Sequence, residues 1–545
     1  MAMEVSTGSM MSSCESKELN HLGLVAGMYD ELGIGMSIDA LIPQDMQQRK
    51  VSIGKVLKAM VLNGLGFVNQ RLYNIPHFFE SKPVEKLLGE GMEAAHFNDD
   101  VTGRMLDSIY EAGVSETYAI IASNALKTLD LSCHMSHRDT TTFHTDGKYN
   151  QAEEAGVIKI TKGYSRDHRP DLNQFGLKLI VEGQAGIPMM MAALSGNDND
   201  KTRFKQAIKD HIGQLQDDFS VQHIVGDSAL YSAETIKLMR HIIWTTRVPE
   251  TIGLARGYIE KYAGQLAADN DGLMLNYQCV DESYAGVEQK WLIVYSPQAH
   301  ERAKHNVSKQ FSKKSQADQK LLKTFCNRSF ACEKDAYHEL KLLKKKLAVT
   351  HIHDEVIEPI AGFNGRGRPV KGATPDFYTY RVHVVSSSNY QQYQQRLQRK
   401  SCFIIATNQT DMDVFDADEI LAGYKNQQKV ERGFRFLKDP MFLASSVFLK
   451  SPKRIMALTM VMTVCLLVYA ALEYRMRKSL HDNQETFPNQ IGKMVKKPTI
   501  RWVFQYFQNI QMLYLQQAKP CVLNLNKQHE KLLKLMGESY QKIYS

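Results

Sequence analysis

The sequence predicts an α/β protein: a mixed-sheet core, interrupted by an inserted α+β domain and preceded by a helical N-terminal domain. Three observations predict this. Residues up to about 130 carry apolar side chains at helical spacing. From Ser132 to Pro249, short apolar runs alternate with turn signals and helical stretches. That texture breaks after Pro249 and resumes at CFIIATN (402–408), one strand in front of a helix. At 545 residues the chain is too long for a single hydrophobic core. The implied division is a helical domain (1–130), the first part of the core (131–248), the insert (249–400), the second part of the core (401–480) and a helical tail (481–545).

Taken in order, SIGKVLKAMVLNGLGF has Ser52 placed to cap a helix, and Asp99 and Asp100 precede a helical run through Tyr118. No helix-turn-helix is spelled out. SCHMSHRDTTTFHTDG is rich in β-formers and leads into a turn at Asp146–Gly147, which puts Asp139 in or near a strand. LKLIVEGQAGIPMMMAAL reads as a hairpin, and Asp200 to Leu215 as a helix. QHIVGDSALYSAETIKLMR is an apolar strand ending at Asp227, followed by a helix from near Ser232; HIIWTTRVP adds a strand. Inside the insert, Met274 to Val280 and Val287 to Tyr295 read as strands ahead of a basic helical segment. Phe377 to Val385 alternates, with Tyr378, Tyr380, Val382 and Val384 on one face.

The net charge of +8 is local. Residues 300–346 hold thirteen Lys and Arg against five Asp and Glu, the footprint of a polyanion partner. The eight cysteines are scattered, with no CxxC pair, which predicts reduced thiols in a cytoplasmic protein. The N-terminus has no apolar run of the signal-peptide kind. Ile455 to Leu472 is free of charge but flanked by cations at both ends, so a helix buried in a large core is expected rather than a membrane span.

The segment from Asp418 to Lys438 reads as one helix, with Asp416 or Asp418 as its cap. At 100° per residue, Tyr424, Gln427, Glu431, Arg435 and Lys438 fall within an arc of about 80°, beside Val430, Phe434 and Leu437. A carboxylate flanked by cations on the border of a buried face suits a metal ligand with phosphate-gripping neighbours. Asp139 on one strand, Asp227 at the end of another and Glu431 on this helix then form a candidate acidic site. Gathered carboxylates repel unless a cation neutralises them. Mg²⁺ or Mn²⁺, hard and oxygen-liganded, is the natural one.

These residues resemble the DDE transposases of bacterial insertion sequences, in the group whose ribonuclease-H-like core is split by an inserted β-rich domain. The likeness rests on DTT at Asp139, GDSALYS around Asp227, and Tyr424, Gln427, Glu431 and Lys438 in the spacing Tyr-x2-Arg-x3-Glu-x6-Lys. HLGL, VLNGLGF and RLYNIPHFF also look like the domain that often precedes this core. The resemblance covers most of the chain. It implies that Asp139, Asp227 and Glu431 bind two Mg²⁺ (or Mn²⁺) ions and that Tyr424 and Lys438 hold the DNA backbone. The reaction it implies is cleavage at terminal inverted repeats and joining of the 3′-OH to target DNA, by a homodimer. Gln427 stands where the signature has Arg, so a charge-assisted phosphate contact becomes a neutral hydrogen bond, and Arg435 is placed to take part of that role.

Arg166, His168 and Arg169, in GYSRDHRPD, are expected in a loop over the site that touches DNA. GRGRP at 365–369 reads as a linker ahead of a minor-groove segment. His351 and His353 have strand-like ligand spacing but no cysteine nearby, which counts against a zinc site, and Trp291 and Tyr295 read as core ahead of a platform for an extruded base. A non-catalytic DNA-binding descendant, and a metal-dependent nuclease without strand transfer, are the alternatives.

Overall fold

The computed structural model describes residues 14–45, 49–67, 74–131, 135–145, 147, 149, 154–163, 169–197, 223–268, 276–365, 367, 371–411, 416–439, 449–515 and 519–545, without the side chains of 139 and 428–430. The chain forms two compact units, Met1–Thr246 with Asp411–Ser545, and Arg247–Thr410. The expected helix from Asp200 to Leu215 lies outside the described residues.

The first unit is built on a mixed sheet of β1 (Met135–Thr145), β2 (Asn173–Glu182), β3 (Pro188–Ser195), β4 (His223–Gly226) and β5 (Ile243–Val248), in the spatial order β3-β2-β1-β4-β5. The first three strands pair antiparallel, and β1, β4 and β5 run parallel. This is the predicted ribonuclease-H-like core. β2 is buried along almost its whole length, and its middle, FGLKLIV, is apolar but for the buried Lys178 rather than alternating. The helix Val114–Thr128 covers β3, where the Tyr118 hydroxyl donates to the Pro188 carbonyl at 2.7 Å.

Three helices follow the insert in sequence: α1 (Ala417–Lys425), α2 (Gln428–Leu437) and α3 (Pro452–Asp482). α3 carries the charge-free stretch and is long and apolar enough to cross a membrane by length and composition. As expected, it is instead a core helix, with 89% of its most apolar window buried. The N-terminal helices Leu22–Glu31, Ile53–Gly64 and Asp99–Glu111 pack around it. Ser52 caps the second of these, accepting from the Lys55 amide. Asn98 caps the third, which stops at Glu111; Tyr118 belongs to the next helix, beyond Gly113. Arg454 of α3 grips both oxygens of Asp107, at 2.8 and 2.7 Å.

The ends of the chain close on the same body. Strand Cys14–Glu18 pairs antiparallel with Gln511–Leu515. The Tyr544 hydroxyl donates to the Asn20 carbonyl, and that of Tyr540 to the Glu31 carboxylate.

The second unit has an antiparallel sheet of Asn276–Tyr284, Val287–Tyr295 and Cys402–Thr407. Its other half is a two-stranded ribbon, Thr350–Gly362 with Phe377–Ser388, which carries the helices Pro297–Cys326 and Glu333–Lys346. Val382 and the partly buried Tyr380 and Val384 pack with Leu322, Phe325 and Leu340 in one cluster, as the alternation predicted, while Tyr378, the fourth residue of that face, is exposed. The Asp318 carboxylate is buried and accepts from the Ala348, Val349 and Thr350 amides, pinning the long helix to the ribbon. Trp291 is fully buried and donates to the Gln289 side chain at 2.9 Å; Tyr295 is buried too, so both are core residues.

Candidate active site

β1 and β4 lie side by side and run parallel, with Met135 level with His223, Ser136 with Ile224 and His137 with Val225. Carried on by two residues, the same register sets position 139 level with Asp227, which immediately follows β4. Neighbouring strands are separated by about 4.8 Å, so the two acidic positions are next to each other. Buried positions 137, 141 and 143 share one face of β1, and by strand alternation position 139 falls on that face.

Asp227 is half-buried and held by its own turn. Its carbonyl accepts from the Thr246 hydroxyl at 2.6 Å and from the Leu230 amide, and its carboxylate accepts from the Ala229 amide at 3.1 Å. Gly226, just before it, has the Leu230 side chain so close that an added Cβ would sit 2.7 Å from Leu230 Cδ1. Thr246 positions the second acid, and its place in the run IWTTRV is the only trace of that role in the sequence.

The third acid arrives by two helices rather than one. Asp416 caps α1 in a capping box with Glu419, as anticipated. At Asn426–Gln427 the helix is interrupted: the Gln427 amide bonds back to the Tyr424 carbonyl, a three-residue step, and α2 begins anew. The single helix expected from Asp418 to Lys438 is therefore corrected to two short helices, joined by a tightened turn in which Asn426 and Gln427 keep right-handed helical dihedrals. The two helices have different tertiary neighbours. α1 is seated at the start of β1, where Gly423 faces the Met135 side chain so closely that a Cβ would lie 2.6 Å from its sulfur. α2 packs across β1 and against α3, with Gly433 beside Leu466 and the Phe436 ring 4.3 Å from that of Tyr469.

Within α2, Phe434, Phe436 and Leu437 are buried while Glu431 and Arg435 are exposed on the opposite side. Lys438 closes the helix with its ammonium 6.0 Å from the Phe143 ring, over the β1 face to which position 139 belongs. Tyr424 and Gln427 are half-buried at the junction of the two helices. Glu431 has no ion-pair partner among the described residues. Arg169 is already paired, to both oxygens of Asp171 at 2.9 and 2.8 Å, and holds that carboxyl down to about 2. Arg166 and His168 lie outside the described residues, as do Arg366 and Arg368 of GRGRP.

The donor set fits a hard divalent ion. Two acidic positions are level, one on β1 and one just after the parallel β4, and a third, solvent-accessible carboxylate stands on α2, which packs against β1. Among the described residues, no three His, Cys, Asp or Glu side chains form a cluster that would hold a metal; the Asp139 side chain is not among them. His351 and His353 are exposed on the ribbon, and the His353 ring bonds to the Ser387 hydroxyl.

The family described as "Transposase DDE domain" matches residues 139–468, a span that opens on Asp139 and takes in Asp227 and Glu431. A domain of unknown function, DUF4277, matches residues 14–123. No curated protein matches the chain. Among solved structures it is similar to the piggyBac transposase in a cryo-EM synaptic complex with hairpin DNA, at 8% identity and a TM-score of 0.36, covering 91% of this chain and 83% of that one.

Proposed function

The chain belongs to the DDE transposase family, and on that premise we propose that it is a DNA transposase that cuts transposon ends and joins the freed 3′-OH to target DNA. The observation that supports this reading is the β1–β4 register, which, carried on by two residues, brings positions 139 and 227 level, with the helix that bears Glu431 packed against β1.

Asp139, Asp227 and Glu431 would hold two Mg²⁺ (or Mn²⁺) ions. When bound, such a pair activates an attacking oxygen and stabilises the leaving one at a phosphodiester. The chain's own residues do the rest. The turn bonds at Asp227 fix its carboxylate at the strand end, so little reorganisation is needed when substrate arrives. Arg435 is exposed one helical turn beyond Glu431, a charge-assisted grip for a backbone phosphate. Lys438 approaches the same sheet face from the helix end, and Tyr424 and Gln427 supply neutral hydrogen bonds at the junction. Arg169 would exchange Asp171 for DNA, and Arg166 and His168 belong to the same expected loop. A homodimer acting in the cytoplasm on terminal inverted repeats and target DNA of an insertion sequence completes the reading, since two ends must be cut in one complex.

The test is incubation of the purified protein with Mg²⁺ and DNA carrying the element's own ends, scored for 3′-OH nicks, hairpins and joined products. Nicks and joined products are expected. Nicks that never join would leave a metal-dependent nuclease, and end binding with no nicks a non-catalytic descendant.

A further inference from the structure

The long helix Pro297–Cys326 of the second unit has two opposed faces. Ala303, Val307, Asp318, Leu322 and Phe325 are buried. Arg302, Lys309, Lys313, Lys320 and Lys323 are all exposed and fall within an arc of about 80° on the opposite side. From first to last they span about 30 Å of helix at 1.5 Å per residue. The helix has only two acids, and neither offsets this stripe. Asp318 is turned into the core, where it binds three backbone amides, and Glu301 lies beside Lys304 at 3.8 Å. The next helix repeats the design: Lys334, Lys341 and Lys345 are exposed opposite the buried Ala336, Leu340 and Leu343.

From this geometry we propose that the outer faces of these two helices form a sequence-independent track for the phosphate backbone of duplex DNA. The inference rests on the transposase reading for its choice of polyanion. Lysine dominates the stripe, and its ammonium meets phosphates as a point charge without the fork that reads base edges. An anionic bilayer is the weaker fit. A helix lying in a membrane surface needs a free apolar face, and here that face is buried in the cluster with Phe330, Ile352 and Val382.

The experiment uses the full chain and a DNA duplex of arbitrary sequence that carries no transposon end. Affinity is followed by fluorescence anisotropy from about 50 to about 200 mM salt. The variant replaces Arg302, Lys309, Lys313, Lys320 and Lys323 by Gln; all five are exposed, so folding is expected to survive and is checked by circular dichroism. Each phosphate contact contributes about 0.9 to the slope of log K against log salt, so the variant's slope should be shallower by about 2 to 4, with affinity at least tenfold weaker at low salt. A wild type that binds DNA and cuts its ends, but shares its slope with the variant, would sink the track alone. A wild type that binds no duplex at any salt would sink the transposase reading with it. Sedimentation with phosphatidylserine vesicles, lost in the variant while DNA affinity is unchanged, would also overturn the proposal.

Discussion

His223 offers a quantitative test of the sheet that carries the acids. It opens β4, level with Met135, and its ring is buried with Nε2 2.8 Å from the Thr245 hydroxyl. Burial lowers its pKa to about 4. An unfolded chain binds the proton near pH 6.5 and the folded chain does not, so this histidine favours folding fully above pH 6.5 and loses that contribution as pH falls toward 4. At 1.36 kcal/mol per unit, the loss relative to neutral pH is about 2 kcal/mol at pH 5 and about 3 kcal/mol at pH 4, where the folded ring is itself half protonated. The perturbation is His223→Gln, which keeps a polar group opposite Thr245 and removes the titration. Urea unfolding at neutral pH and at about pH 5, followed by tryptophan fluorescence, gives the comparison. Trp244 is fully buried on β5, level with Ile224, and reports on the strand beside His223. The variant is expected to be less stable at neutral pH, yet to lose about 2 kcal/mol less than wild type on acidification. His21, also buried with a pKa of about 4, titrates equally in both proteins and cancels. Equal losses in wild type and variant would refute the linkage, whatever the absolute stabilities.

Asp139→Asn, Asp227→Asn and Glu431→Gln should each abolish strand cleavage while leaving end binding within a few-fold of wild type; a wild-type cleavage rate in any of them would remove that residue from the site. Asp318→Ala should destabilise the second unit by about 2–4 kcal/mol, because three backbone amides, two of them buried, lose their acceptor. Burial works to raise the Asp318 carboxyl, but the three amides hold it below the usual range, so its contribution persists above that range and fades in acid. An unchanged urea transition at Trp291 would contradict this. Gly196→Ala would put a Cβ 2.1 Å from the Gln174 carbonyl and 2.4 Å from that of Thr161; both are backbone that cannot step aside, so a loss of about 2 kcal/mol or more is expected, and an unshifted thermal midpoint would disprove the clash.

Much of this fold was legible residue by residue. Ser52 and Asp416 cap their helices because their side chains satisfy amides two or three positions on, a purely local geometry. The alternation through Tyr380, Val382 and Val384 marked a ribbon with one face on a core, and the charge-free stretch of α3 marked a buried helix. Local pattern failed where the outcome depended on distant seats. The break at Asn426–Gln427 is absent from a run with no proline and a steady helical period. It lies between a helix whose Gly423 sits on Met135 and one whose Phe436 sits on Tyr469.

The sequence by itself determined most of the strands and helices, the caps at Ser52 and Asp416, and the strand that ends just before Asp227, because each follows from side-chain chemistry within a few positions. Only the tertiary structure decided who neighbours whom. Cys14–Glu18 pairs with Gln511–Leu515, and β1 takes β4 as its parallel partner in the register that sets 139 beside 227. Strand edges offer the same amides and carbonyls to any partner, so pairing and register are fixed by how the buried faces of the whole unit fit together.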